Sequence, residues 1–274
     1  MQPPRIGVDD SPHVRDRASQ AWAFYRDVFE ILAKAGIPCL IGGAYGLTFY
    51  TGIRRDTKDF DIFLRRSDID RALDTLSAIG YRTELTHPHF LGKVYSGGYF
   101  VDLIFSSGNG VSPVDDEWFQ YALDGELLGL PARFCSVEEM IWSKAFILER
   151  ERFDGADVAH LLRAGGERID WSRLVARFGL HWPILLAHLV LFDFIYPGER
   201  HRIPRQVIND LLDRLRNEPE RSKDPTLCQG TLLSRQQYLF DLQKLGMKDA
   251  RLQPTGNMTA DEIARWTAAI EEPH

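Results

Sequence analysis

Asp59 and Asp61 stand two residues apart at the head of an apolar run, Asp59-Phe60-Asp61-Ile62-Phe63-Leu64. Residues i and i+2 of a strand share a face, about 6.5–7 Å apart along it. Both acids therefore aim at one spot, while Phe60, Ile62 and Leu64 point the other way into a core. Two carboxylates at one spot raise each other's pKa unless a positive charge sits between them. A hard divalent cation with oxygen ligands is the usual answer, and Mg²⁺ typically brings substrate phosphates with it. Just upstream, the short apolar run Ile37-Pro38-Cys39-Leu40-Ile41 ends in Gly42-Gly43, a turn whose backbone N–H groups are open to phosphate. Further on, Phe100-Val101-Asp102-Leu103-Ile104-Phe105 sets a single acid in an apolar strand, and such acids are rare unless paired or bound to metal. Asp59, Asp61 and Asp102 are thus the candidate metal ligands and catalytic residues of a two-metal phosphoryl- or nucleotidyl-transfer centre. Gly42, Gly43, Arg55 and Lys58 are the candidate nucleotide-binding residues beside them. The plainer alternative is a solvated strand face whose acids pair with Arg54, Arg55 and Lys58.

The pattern of an apolar residue, Gly-Gly, a spacer, Asp-apolar-Asp and a later strand acid resembles the polymerase-beta-like nucleotidyltransferase superfamily. Here it reads Ile41-Gly42-Gly43, Asp59-Phe60-Asp61 and Asp102 and covers residues 20–160. A second similarity follows. Ser143-Lys144 and Arg152-Phe153-Asp154-Gly155-Ala156-Asp157 resemble the Lys…Arg…Lys-Asp-x-x-Asp run of abortive-infection-type nucleotidyltransferases and their toxin relatives. The resemblance implies an α/β fold, a small mixed-sheet nucleotidyltransferase domain followed by an all-α domain. It implies an enzyme that uses Mg²⁺ or Mn²⁺ and a nucleoside triphosphate (NTP), moves a nucleoside monophosphate to an acceptor hydroxyl and releases pyrophosphate. A non-catalytic nucleotide-binding regulator, or one half of a toxin–antitoxin pair, is the rival on the same fold. A dinucleotide-binding turn is excluded by spacing, because Gly42-Gly43-Ala44-Tyr45-Gly46 lacks Gly-x-Gly-x-x-Gly.

Composition narrows the partners. The net charge is −6, and residues 1–135 and 136–274 are each slightly acidic, so neither half is a basic clamp for nucleic acid. A small molecule or a protein is therefore favoured over RNA as acceptor. Three cysteines without a Cys-x-x-Cys spacing read as reduced thiols in a cytoplasmic setting. The polar start lacks a secretory apolar region, and the run over residues 182–196 is too short for a bilayer, so no membrane is expected.

Periodicity orders the rest. Helical spacing covers residues 18–35 after a loose stretch over 1–15. Strand, short helix, acidic strand, helix and strand follow, and then a hairpin turns about Ser96-Gly97-Gly98. The order gives a mixed sheet with helices on its faces. After Cys135 the pattern changes. Ser136-Val137-Glu138-Glu139 is a capping box opening a helix through Leu148, and helical segments follow at residues 157–164, 171–177, 182–194, 205–216, 234–245 and 261–270. The domains are accordingly 1–135, catalytic, and 136–274, helical, substrate-binding and closing. Lys144, a cation among apolar neighbours, either meets the triphosphate or extends to solvent. Asp154 and Asp157 are helix-start acids or part of the site.

Overall fold

The computed structural model describes residues 12–55, 57, 59–217 and 224–268. The chain divides into two compact units: residues 1–108 with 113–136, and residues 109–112 with 137–274.

Unit 1 opens with α1 (Pro12–Lys34), whose Phe24, Tyr25, Val28 and Leu32 recur at helical spacing and are buried. The helix reaches back into the stretch expected to be loose, beginning at Pro12, and proline suits a first helical turn because its missing N–H is unpaired there anyway. Then come β1 (Leu40–Ile41), α2 (Gly43–Thr51), β2 (Asp59–Phe63), α3 (Arg66–Ala78), β3 (Arg82–His87), β4 (Leu91–Ser96) and β5 (Tyr99–Ile104). They are followed by α4 (Asp116–Gln120) and the hairpin β6 (Leu123–Leu127) and β7 (Leu130–Phe134). The seven strands form one mixed sheet in the order β3-β4-β5-β2-β1-β7-β6. β2 runs antiparallel to β1 and parallel to β5, and β7 is parallel to β1.

Alternation along the two central strands sorts their side chains. Phe60 and Ile62 of β2 and Val101 and Leu103 of β5 join α1 and α3 in one apolar cluster. The intervening residues face the opposite side, where Phe63 stacks on Trp118 of α4 at 5.2 Å. The acids Asp59, Asp61 and Asp102 are among the residues that alternate with those of the α1 and α3 cluster. Burial of side chains such as Val28, Phe60 and Leu103 contributes on the order of 1.5–3 kcal/mol each.

Unit 2 is mostly helical: α5 (Val137–Lys144), α6 (Gly155–Gly165), α7 (Trp171–Phe178), α8 (Trp182–Ile195), α9 (Arg205–Asn217), α10 (Leu239–Gln243) and α11 (Ala260–Ala268). It also holds a two-residue parallel pair, β8 (Leu227–Cys228) with β9 (Lys248–Asp249), and isolated bridges between Leu148 and Phe153 and between Leu252 and Met258. α5 stops at Lys144 rather than Leu148, because the Leu148 amide is drawn off to the Leu233 carbonyl at 3.1 Å. The apolar run expected to be too short for a bilayer joins α7 through a turn, and Trp171–Ile195 reaches 25 residues, long and apolar enough by length and composition alone. Leu174, Phe178, Trp182, Leu185, Leu189 and Phe192 of that stretch are nevertheless buried. Its Arg173 and Arg177 pair with Glu139, fully buried in α5, at 2.5 and 3.0 Å. Leu180, Val190 and Phe194 of the same stretch are exposed.

Candidate functional site

Asp59, Asp61 and Asp102 come together on one face of the central strands β2 and β5, each with a carboxylate oxygen within 4.8 Å of the others'. The strand register explains this. β2 and β5 run parallel with Asp61 directly beside Asp102 and Asp59 beside Phe100. Asp59 and Asp61 therefore share a face by alternation, and Asp102 joins them by cross-strand pairing. The donor set is three hard carboxylate oxygens, which suits Mg²⁺ or Mn²⁺ and does not suit a thiophilic ion.

The glycine turn is built against these acids. The Gly42 amide donates to the Asp61 carbonyl at 3.3 Å, and the Gly46 amide closes the first turn of α2 on the Gly42 carbonyl at 2.7 Å. Gly43 has φ +52°, and a Cβ placed on it would collide with Asp61 Oδ2. Only glycine meets both demands, the left-handed backbone and the close approach of the carboxylate. The first amides of α2 thus sit beside an acid cluster, where helix N-terminal N–H groups favour negative charge. α2 ends at Gly52, again left-handed at φ 72°. At the strand's start, the Thr57 hydroxyl donates to Asp59 Oδ1 and orients that carboxylate.

Asp102 differs from its two partners. Its side chain is only 13 % exposed, and Lys93 Nζ lies 3.0 Å from its Oδ1. Lys93 stands on β4 directly opposite Asp102, and its ammonium also sits 4.1 Å from the centre of the Phe100 ring. Burial pushes the Asp102 carboxyl above the ordinary carboxylate range; Lys93 opposes this without cancelling it, and Asp59 adds to it. Tyr25, packed flat on Phe60 at 5.1 Å, is pushed up to about 12 by burial first and by the charge of Asp59 next. Tyr45 is raised for the same reasons, burial ahead of the neighbouring Tyr25 and Asp59.

The other expected residues stand as follows. Arg54 and Arg55 are exposed in the connection from α2 to β2, and Lys58 falls outside the described residues. Lys144 belongs to unit 2, where its Nζ lies 3.0 Å from Asp154 Oδ2 and 2.9 Å from Asp157 Oδ2. Arg152 adds a two-pronged contact to Asp154, both bonds at 2.9 Å. Burial alone would raise the Asp154 carboxyl, but the bonds from Arg152 and the charge of Lys144 hold it below the ordinary range. Lys144 thus neither extends to solvent nor stands unpaired.

Sequence reasoning missed Lys93 and Thr57. The signal for Lys93 was present, since a two-residue turn at Gly97-Gly98 pairs Ser96 with Tyr99 and, counted back, Lys93 with Asp102.

With this geometry in hand, the relatives follow. Residues 12–190, nearly two thirds of the chain, match the protein family described as "Uncharacterised nucleotidyltransferase". Among solved structures, the chain is similar to the antibiotic-resistance factor ANT(2'')-Ia in solution. Identity there is 16 % over 62 % of this chain and 97 % of that one, with a TM-score of 0.43. It is also similar to the lincosamide antibiotic adenylyltransferase LnuA with lincomycin bound (15 % identity, 51 % and 94 % covered, TM-score 0.37). ANT(2'')-Ia in complex with adenylyl-2''-tobramycin gives 14 % identity, 71 % and 98 % covered, and a TM-score of 0.37. No curated protein matches the chain.

Proposed function

The chain belongs to this nucleotidyltransferase family, and from that premise we propose that it moves a nucleoside monophosphate from an NTP to an acceptor hydroxyl, releasing pyrophosphate. The observation that carries the reading is the convergence of Asp59, Asp61 and Asp102 beside the Gly42-Gly43 turn. Three clustered carboxylates repel a triphosphate on their own, so their placement next to amides suited to phosphate makes sense only with a cation between. These carboxylates would hold Mg²⁺ or Mn²⁺, which would supply positive charge beside the phosphates and favour ionisation of the attacking hydroxyl.

Asp59 and Asp61, fixed by alternation on β2 and by the Thr57 hydroxyl, hold the triphosphate end of the site. The first amides of α2 orient its phosphates, with Gly43 keeping the backbone close. Asp102, buried and with a raised proton affinity, is the residue suited to take the proton of the acceptor hydroxyl. Arg55, exposed ahead of β2, is assigned to the outer phosphates. Lys144, Arg152, Asp154 and Asp157 carry the finer kinship to abortive-infection-type relatives, and we assign them to the internal ion cluster of unit 2 rather than to the nucleotide.

The test is transfer from α-labelled ATP, GTP, CTP and UTP to pooled small-molecule and protein acceptors, with pyrophosphate followed in parallel. Label transfer and pyrophosphate release that need Mg²⁺ or Mn²⁺ and vanish in Asp61→Asn support the reading. Cation-independent nucleotide binding, unchanged in Asp61→Asn, would sink it.

A further inference from the structure

Unit 2 contains a cavity of about 390 Å³ between α10, β9 and α11. Much of its wall is apolar, with Leu239 and Leu242 from α10 and Ile263 and Ala264 from α11. Arg251 and Thr267 line it too, and each carries a buried polar atom that the fold leaves unsatisfied. Arg251, fully buried, spends one edge of its guanidinium on Asp249, with Nε 3.0 Å from Oδ1 and Nη2 2.6 Å from Oδ2. Nη1 stands outside that edge and has no hydrogen-bond partner among the described residues. The Thr267 hydroxyl, on α11, likewise has none among the described residues. A buried donor without a partner is costly, most of all on a charged group, and such atoms beside a cavity mark a place for a ligand's polar head.

The wall also selects the ligand. Asp249 already offsets the charge of Arg251, so a carboxylate or phosphate would bring a charge that this pair does not compensate into a largely apolar cavity. An uncharged oxygen acceptor meets the need of Nη1 without that cost. The Thr267 hydroxyl accepts as well as donates, so an amide, with an acceptor oxygen beside a donor N–H, serves both atoms. The volume lies in the range of small-molecule sites.

We propose that this cavity binds a small uncharged molecule with an apolar body and an amide-type head, whose carbonyl oxygen accepts from Arg251 Nη1. The inference goes beyond nucleotidyl transfer and does not depend on it.

Cyclohexanecarboxamide and cyclohexanecarboxylate share one body and differ in the charge of the head. Titration of each against the full chain by saturation-transfer NMR, without nucleotide or metal, tests the proposal. The amide is expected to bind wild type about tenfold more tightly than the carboxylate. Arg251→Lys keeps a cation for Asp249 but lacks the Nη1 donor, and should weaken the amide by about tenfold. Thr267→Val keeps the side-chain shape without the hydroxyl and should weaken it by about fivefold, a second test if the lysine variant does not fold. Ala264→Trp, at an exposed position on the rim, should fill the cavity and abolish binding. Failure of the amide to bind wild type would leave the cavity to water and overturn the proposal. Amide affinity unchanged in Ala264→Trp would put the binding outside the cavity and overturn it as well. Tighter binding of the carboxylate would make the cavity an anion site and overturn the choice of an uncharged ligand.

Discussion

Each unit of the molecule gathers acids, and the two gatherings are balanced in opposite ways. In unit 2, Asp154 and Asp157 meet Lys144 and Arg152, two negative charges against two positive ones. In unit 1, Asp59, Asp61 and Asp102 bring three carboxylates together, and Lys93 lies 3.0 Å from Asp102. At Asp154 the attraction of Lys144 and Arg152 outweighs the cost of burial. At Asp102 burial outweighs the attraction of Lys93. The Asp154 carboxyl is accordingly held below its ordinary range and the Asp102 carboxyl lies above its own.

The comparison breaks if neutralising the two clusters does the same thing. The largest effect expected is on transfer: Asp102→Asn should lower turnover by about three orders of magnitude. The same variant should melt no lower than wild type in EDTA, since it removes repulsion with Asp59. A variant keeping roughly a third of wild-type turnover would reduce Asp102 to an ordinary strand residue.

Next in size is Lys144→Met. It takes from Asp154 and Asp157, 9 % and 5 % exposed, the cation they share, and leaves Asp154 with Arg152. Stability measured by chemical unfolding should fall by about 3–5 kcal/mol, with nucleotide affinity preserved in whatever remains folded. A stable variant with weakened nucleotide binding would transfer Lys144 from the internal cluster to the substrate.

Gly43→Ala sharpens the unit 1 side. It strains a left-handed position, at about 1 kcal/mol, and pushes Asp61 off its place. Isothermal titration should show Mg-nucleotide affinity falling by roughly tenfold; unchanged affinity would make the turn merely structural.

The smallest effect is on pH. Asp154, with its folded pKa lowered, contributes stability that is present above the ordinary Asp pKa and lost as pH falls through the folded value. Asp102, with its folded pKa raised, works the other way: stability is lost as pH rises from the ordinary value through the folded one. Thermal melts in EDTA from pH 3 to 7 (an ordinary working range about the Asp pKa) should therefore tilt in opposite senses for Asp154→Asn and Asp102→Asn relative to wild type. Parallel curves would erase the distinction between the clusters.

Much of unit 1 was legible in the chain because its signals are local. Alternation over residues 59–64 placed two acids on one face, paired glycines marked the turn, and Gly97-Gly98 marked the hairpin. The hairpin of β6 and β7 was not foreseen, although β7 supplies the neighbour of β1. β1 is only two residues long, and its parallel partner lies more than ninety positions away at Phe134, too far for any periodicity to show. In unit 2 the helices were read from spacing, but the partners of Glu139 and Lys144 depend on how helices meet. Arg173, Arg177 and Asp157 become their neighbours only after packing.

By itself, then, the sequence determined the strand that carries Asp59 and Asp61, the glycine turn before it and the presence of a third acid in an apolar strand. Those follow from rotations of 180° per residue and from the absence of a Cβ, which are properties of a few neighbouring positions. Tertiary structure alone decided that Asp102 stands beside Asp61, that Lys93 faces Asp102 and that Lys144 is consumed by two aspartates. Electrostatic balance is a sum over charges within a few ångströms, and which charges those are is settled only when distant segments are brought into register.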